Sequence, residues 1–265
     1  MKDLKIAAVC MHSEPGDIER NLDRTQAFVF EAAENRVDLV CFPELSVTGY
    51  TLKNTADLCT SRDWSHAVNR IVSMAQQTNL IIIAGLAEPS DGTLPYITQL
   101  VAGPDGLLGI HRKTHLSPHE NKIYKAGQEI EVILYGKNKL GIQLCYEVHF
   151  PEVSTIMSIK GADIIIVPHA SPRGSPDQKF RSWLRHLTAR AFDNGVFLVA
   201  CNQVGETLEG YSFPGISLVL GPDGLVLEQY TGNKEHILYS KLTNALLKEV
   251  RQNTVSYTHL TLPTN

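Results

Sequence analysis

Four side chains in this 265-residue chain have the types and settings that bond-breaking chemistry needs. Cys145 follows the apolar run Lys139-Leu-Gly-Ile-Gln-Leu144 and precedes Tyr146-Glu-Val-His-Phe-Pro-Glu152, which leads into a helix. A cysteine at such a strand-to-helix turn is held at a sharply bent point, and the N–H of the next residue can face a reacting carbonyl oxygen. Its thiolate is the reactive form, so a base or cation must stand nearby. Glu44, in Phe42-Pro-Glu-Leu-Ser-Val-Thr-Gly-Tyr50, ends another apolar strand. Desolvation there would raise its pKa and suit it to act as a general base. Lys113, in His111-Arg-Lys-Thr-His-Leu116, stands just past a strand, where an ammonium can stabilise an oxyanion. Glu120 follows and could orient that lysine or hold a substrate amide. Taken singly, each has a blander reading: a cysteine after a strand is usually core, and a loop carboxylate or lysine is usually solvated.

The elements that must position these residues alternate along the chain. Apolar runs at Leu4–Cys10, Asp38–Phe42, Leu80–Leu86, Ile97–Val101, Leu107–His111, Val132–Tyr135, Leu140–Leu144, Asp163–Pro168 and Val196–Cys201 predict strands. Gly215–Leu220, Val226–Tyr230 and His236–Ser240 complete them. Helical periodicity marks Asp17–Asn35, Ser65–Thr78, Pro151–Lys160, Gln178–Asn194 and Leu242–Val250, and Gly195 closes the fourth. Gly103-Pro-Asp-Gly106 and Gly221-Pro-Asp-Gly224 each join two strands as a hairpin turn. The repeated phrase could mark two similar halves, though a common turn used twice explains it more simply. The pattern predicts an α/β (α+β) protein with helix-covered sheets. No linker divides the chain, so residues 1–255 read as one domain. Ser256 to Asn265 contain no Asp, Glu, Lys or Arg and no amphipathic pattern, and read as a tail foreign to that domain.

Composition narrows the function classes. A net charge of -4 gives no basic stripe for nucleic acid or an anionic membrane. The start lacks a secretory pattern and no apolar run reaches a membrane span, which predicts a soluble, cytoplasmic protein. The five cysteines are widely spaced with no CxxC pair, so neither a zinc ribbon nor a disulfide framework is expected. Cys10, Cys41 and Cys201 lie in apolar runs and read as small buried hydrophobes.

Together, the motifs resemble the nitrilase superfamily of carbon–nitrogen hydrolases. The chain order Glu, Lys, Cys matches that family, through Phe42-Pro-Glu44-Leu with Thr48-Gly-Tyr50, Arg112-Lys113-Thr-His-Leu, and Gly141-Ile-Gln-Leu-Cys145-Tyr-Glu with Phe150-Pro-Glu152. The family's additional glutamate falls on Glu120. The resemblance runs from about Leu4 to Val250. It implies a four-layer α-β-β-α sandwich and a thioester mechanism with Cys145 as nucleophile and Glu44 as base. Lys113 and the Tyr146 N–H would hold the oxyanion. It implies no cofactor and no metal, a small amide or N-carbamoyl substrate releasing ammonia, and a homodimer or higher oligomer. Amides are preferred to nitriles, and a non-catalytic scaffold is the alternative from another class. Substrate contacts are expected from Tyr50, Tyr146, Glu147, His169 and Arg173, with Arg173, Arg181 or Arg185 as the possible partner of a substrate carboxylate. Three departures stand out. Glu147 replaces the aspartate of many relatives, His169-Ala-Ser-Pro172 replaces an Asn-containing phrase, and the foreign-looking ending stands where the family has a basic, aromatic tail.

Overall fold

A computed structural model describes residues 1–53 and 58–253 of the chain. The expected tail at 256–265 lies outside the described residues. In chain order the elements are β1 (Leu4–Cys10), α1 (Ile18–Glu34), β2 (Leu39–Cys41), α2 (Ser61–Thr78), β3 (Ile81–Glu88), β4 (Tyr96–Gly103) and β5 (Gly106–Arg112). Then come β6 (Val132–Tyr135), β7 (Asn138–Ile142), α3 (Pro151–Ile159), β8 (Ile164–His169), α4 (Pro176–Asn194) and β9 (Phe197–Asn202). The chain continues through the short strands β10 (Gly205–Glu206) and β11 (Ser212–Phe213), then β12 (Gly215–Leu220), β13 (Val226–Gly232), β14 (His236–Leu242) and α5 (Asn244–Asn253). No helix among the described residues is long and apolar enough to cross a membrane.

The strands form two six-stranded sheets, in the orders β14-β1-β2-β3-β4-β5 and β13-β12-β9-β8-β7-β6. Successive side chains on a strand face opposite ways, and here both faces are apolar. On β1, Leu4, Ile6 and Ala8 enter the layer between the sheets, while Ala7 and Val9 meet the α1–α2 side. On β8, Ile164 and Ile166 enter that same layer, while Ile165 and Val167 meet the α3–α4 side. The result is the four-layer α-β-β-α sandwich. Cys41 and Cys201 belong to the layer between the sheets, and Cys10 is fully buried beside Ser217.

The two sheets have the same plan. In the first, β1, β2 and β3 run parallel, β14 is antiparallel at one edge, and β4 and β5 follow antiparallel at the other. In the second, β7, β8 and β9 run parallel, β6 is the antiparallel edge, and β12 and β13 follow antiparallel. The two Gly-Pro-Asp-Gly turns therefore occupy equivalent places, closing β4–β5 and β12–β13. The echo of the phrase thus coincides with a likeness of the two sheets, and a common turn used twice remains a sufficient account of the phrase itself. Helix α2 also begins earlier than its apolar periodicity predicts. Thr60 caps it by accepting the Asp63 N–H at 3.2 Å, while the Asp63 carboxylate accepts the Thr60 N–H at 2.9 Å.

One buried carboxylate ties the segment after β7 to the segment after β5. The Glu147 side chain accepts the Leu144 N–H at 2.6 Å, the Thr114 N–H at 2.7 Å and the Thr114 hydroxyl at 2.6 Å. It also lies 2.9 Å from His111 Nε2. Burial alone would push its pKa up. The neighbouring His111 and the donors from Thr114 outweigh burial and hold the pKa down at about 2. A pKa lowered on folding stabilises the fold above the ordinary carboxylate value and loses that contribution as pH falls toward the folded value. Glu147 is therefore worth about 3 kcal/mol at neutral pH, lost between about pH 4.5 and pH 2. Glu147→Gln, with one acceptor oxygen in place of two, should lower stability at pH 7 by about 3 kcal/mol. Denaturant unfolding at a series of pH values should show the gap from wild type narrowing as pH falls from 5 to 2. A gap that stays constant would contradict the assignment.

Candidate active site

Glu44 lies in the loop that follows β2, and the edge of β3 shapes that loop. The Phe42 N–H donates to the Ile83 carbonyl and the Val47 N–H to the Gly85 carbonyl, both at 2.8 Å. The Gly85 N–H donates to Ser46 Oγ at 3.2 Å. The loop lies so close to β3 that a Cβ on Gly85 would collide with the Leu45 nitrogen and stand 2.9 Å from the Pro43 carbonyl oxygen. Leu45 itself adopts φ 53°, a left-handed conformation that a branched residue keeps only when its surroundings enforce it. Side-chain amides complete the enclosure: Gln203 donates to the Glu44 carbonyl at 2.9 Å and Gln99 to the Phe42 carbonyl at 3.1 Å.

Lys113 follows directly on β5. Its N–H donates to the Ile97 carbonyl, and its carbonyl accepts the Gly127 N–H, both at 2.8 Å. Gly127 packs against Arg112 so tightly that a Cβ would strike the Arg112 carbonyl. Arg112 turns outward onto Glu88. Lys113 turns inward and is fully buried. Its Nζ donates to Glu44 Oε1 at 2.7 Å and to Glu120 Oε1 at 2.9 Å. The remaining oxygens are also bonded. Glu44 Oε2 accepts the Ala170 N–H at 3.0 Å, and Glu120 Oε2 accepts the Ser117 N–H at 2.8 Å. Beneath Glu120, the Tyr124 hydroxyl donates to the Thr51 carbonyl at 3.1 Å.

Cys145 opens the 3₁₀ turn Cys145–His149 at φ 34°, half-buried. The Tyr146 N–H that follows has no protein acceptor among the described residues, which leaves it available to an incoming oxygen. The turn is held by the Glu147 bond back to Leu144 and by the Gln143 side chain, which donates to the Glu147 carbonyl at 3.0 Å and accepts the Ser154 hydroxyl at 2.7 Å.

The electrostatics separate the ionisable groups. Burial pushes the Cys145 thiol up, the Glu44 carboxylate adds to that, and Lys113 opposes it without prevailing. The resting group at neutral pH is a thiol. Burial also raises Glu44, against the pull of Lys113. Glu120 feels burial too, but Lys113 and the Ser117 N–H prevail and lower it. Burial disfavours the charge on Lys113, yet the two carboxylates outweigh it and hold the ammonium ionised. This arrangement can take a proton at Glu44, keep a fixed cation at Lys113, and offer a sulfur nucleophile beside a free N–H donor.

The structure brings Glu44, Lys113, Glu120 and Cys145 together, with Tyr50 beside them. Burial raises the Tyr50 pKa, with Glu120 and Glu44 adding to it. Tyr50 also makes edge contacts with Tyr211 and Phe213, at ring-centre distances of 5.4 and 5.9 Å. The Tyr146 ring lies 5.3 Å from His149. Arg173 is exposed at φ 77°, its N–H on the Ser212 carbonyl at 2.9 Å. Arg181 and Arg185 are exposed on α4. Two residues are placed differently from the substrate contacts expected of them. Protein donors occupy both oxygens of Glu147, so the longer arm reaches the Thr114 segment instead of a ligand. His169 shares the α3–α4 face of β8 with Ile165 and Val167 and stacks on Trp183 at 4.1 Å. The Ala170 N–H, which reaches Glu44, escaped the sequence reading because a backbone donor leaves no mark on residue type.

The profile of the carbon-nitrogen hydrolase family matches residues 5–252. A nitrilase of Pyrococcus abyssi is 29% identical over 94% of this chain and 94% of its own. An (R)-stereoselective amidase of Pseudomonas is 29% identical over 84% of this chain and 80% of its own. The solved structure of an amidase from Nesterenkonia superposes with a TM-score of 0.83 at 26% identity, covering 94% of this chain and 95% of that one. That amidase has also been solved with acrylamide bound, and with the acetamide moiety of fluoroacetamide attached to its active-site cysteine. The chain belongs to the carbon-nitrogen hydrolase family, within the nitrilase superfamily.

Proposed function

We propose that the protein is an amidase that releases ammonia through a thioester on Cys145. The observation that carries the reading is the buried Lys113 ammonium between the Glu44 and Glu120 carboxylates, with the Cys145 thiol in the same electrostatic field. The thiol must lose its proton to attack, and Glu44, with its raised pKa, is the acceptor. The sulfur adds to the amide carbon, and Lys113 with the Tyr146 N–H holds the resulting oxyanion. Glu44 returns the proton to the leaving nitrogen, ammonia departs, and a water deprotonated by Glu44 cleaves the thioester. Glu120 keeps Lys113 charged and in place. Fixed donors of this kind are each worth about 3 kcal/mol of transition-state stabilisation. The amide complexes of the Nesterenkonia amidase favour amides over nitriles as substrates. In this reading the chain pairs with a second copy, which would cover exposed apolar side chains such as Ile159 and Phe192 on α3 and α4.

Cys145→Ala should fold normally and lose ammonia release from simple aliphatic amides by at least about a thousandfold. Retained turnover in the alanine variant would overturn Cys145 as nucleophile. The pH profile gives a second check. Because Glu44 must be unprotonated to act as base and its pKa is raised, kcat/KM should fall with decreasing pH along a limb lying above pH 4.5, the ordinary carboxylate value. A limb at or below that value would count against Glu44.

A further inference from the structure

The donor that reaches the Glu44 carboxylate from the second sheet belongs to one peptide group, His169–Ala170, at a strand end with little ladder to hold it. β7 pairs with β8 only through Ile142 and Ile166, after which the chain turns away to Cys145. Val167, Pro168 and His169 keep β9 as their one strand neighbour, and that ladder stops at the pair His169 and Asn202. The carbonyl of the His169–Ala170 peptide accepts the Gln203 N–H at 3.3 Å, and its N–H donates to Glu44 Oε2 at 3.0 Å. The Gln203 side chain closes the ring of bonds by donating to the Glu44 carbonyl at 2.9 Å. On the far side of Ala170, Ser171 and Asn202 exchange hydrogen bonds at 2.8 and 3.1 Å. A peptide group is planar, so any rotation at His169 moves its carbonyl and the Ala170 N–H together.

The His169 side chain opposes that rotation. Its ring is 2% exposed and lies on Trp183 of α4, with ring centres 4.1 Å apart and planes 24° apart. Neither ring nitrogen has a hydrogen-bond partner among the described residues. Unbonded nitrogens in a buried ring cost stability, so polar contacts do not explain the place of this imidazole. Its flat face does, because stacking fixes the ring against the helix from the side opposite the Glu44 bond. Burial pushes the imidazole well below its ordinary pKa, with His186 and Lys179 acting in the same sense, so the ring is neutral at neutral pH.

We propose that His169 is a positioning residue, whose stack on Trp183 fixes the peptide that aims the Ala170 N–H at Glu44. This rests on the reading of Glu44 as the base. An N–H bonded to a carboxylate favours its charged form, and the Ala170 bond opposes the effect of burial on Glu44. A misaimed N–H therefore raises the Glu44 pKa further, and the acid limb of activity moves to higher pH. The other ionisable groups around Glu44, Lys113, Glu120 and Cys145, are untouched by a change at position 169.

The test compares wild type with His169→Leu, His169→Phe and Trp183→Leu. Leucine suits the apolar face that His169 shares with Ile165 and Val167 but has no flat ring, whereas phenylalanine keeps one. Two rates are followed against pH: kcat/KM for ammonia release from butyramide, and alkylation of Cys145 by iodoacetamide. The reactive thiolate forms by passing its proton to Glu44, so alkylation needs Glu44 unprotonated beforehand and reports the same limb without turnover. His169→Leu should move both limbs up by about one pH unit and lower kcat several-fold with little change in KM. Trp183→Leu should act in the same direction, and His169→Phe should restore the wild-type limb. A limb that stays in place in the leucine variants, even at reduced activity, would make the ring mere packing and overturn the proposal. An equal displacement in His169→Phe would overturn it too, as would loss of the native fold in both leucine variants, since the stack would then serve the whole sheet. Absence of ammonia from wild type would overturn the amidase reading alone, and the alkylation limb would still decide the role of His169.

Discussion

The structure is organised around one charge that has no access to water. The Lys113 ammonium is fully buried, and removing an ion from water costs several kcal/mol unless matched partners replace the solvent. Glu44 and Glu120 replace it at 2.7 and 2.9 Å. Those distances make a demand on three separate stretches of chain. The Glu44 loop meets it through Gly85, Gln99 and Gln203. The Lys113 segment meets it through Ile97 and Gly127, and the Glu120 turn through Ser117 and Tyr124. A collision at any of these contacts would separate ions that cannot be rehydrated where they lie.

That trio also fixes the electrical character of the site. Burial holds the Cys145 thiol protonated, and Glu44 and Glu120 act in the same sense against the pull of Lys113. A site of this kind does not keep a standing thiolate in the manner of a thiol protected by an adjacent cation. A thiol that rests protonated is a poorer target for adventitious oxidation or alkylation than a standing thiolate.

How much of this was legible in the sequence differs from residue to residue. The strands were readable because both faces of β1, β3, β8 and β9 are buried, which writes unbroken apolar runs. The three chain positions of Glu44, Lys113 and Cys145 were readable because each sits where an apolar run stops. The equivalence of the halves was not. Only the Gly-Pro-Asp-Gly phrase repeats, and the rest of the correspondence lies in strand order and direction, which single-residue patterns do not record. Glu147 drew attention through its unusual length, yet its partners Thr114 and His111 belong to a segment distant in sequence and meet it only across the fold. His169 was expected at the substrate because it ends a strand beside the site, but strand alternation turns it to the helix side.

The equivalent plans of the two sheets divide the site between them. One half supplies the carboxylates and the ammonium, and the other supplies the sulfur and the Ala170 N–H. The spatial order of strands is the same in both sheets, although the last strand of the chain, β14, returns to complete the first. The two contributions meet only because the apolar layer between the sheets holds them face to face. Neither sheet carries the whole set, so a change that shifted one sheet against the other would pull the carboxylates and the ammonium away from the sulfur without altering any of the four residues.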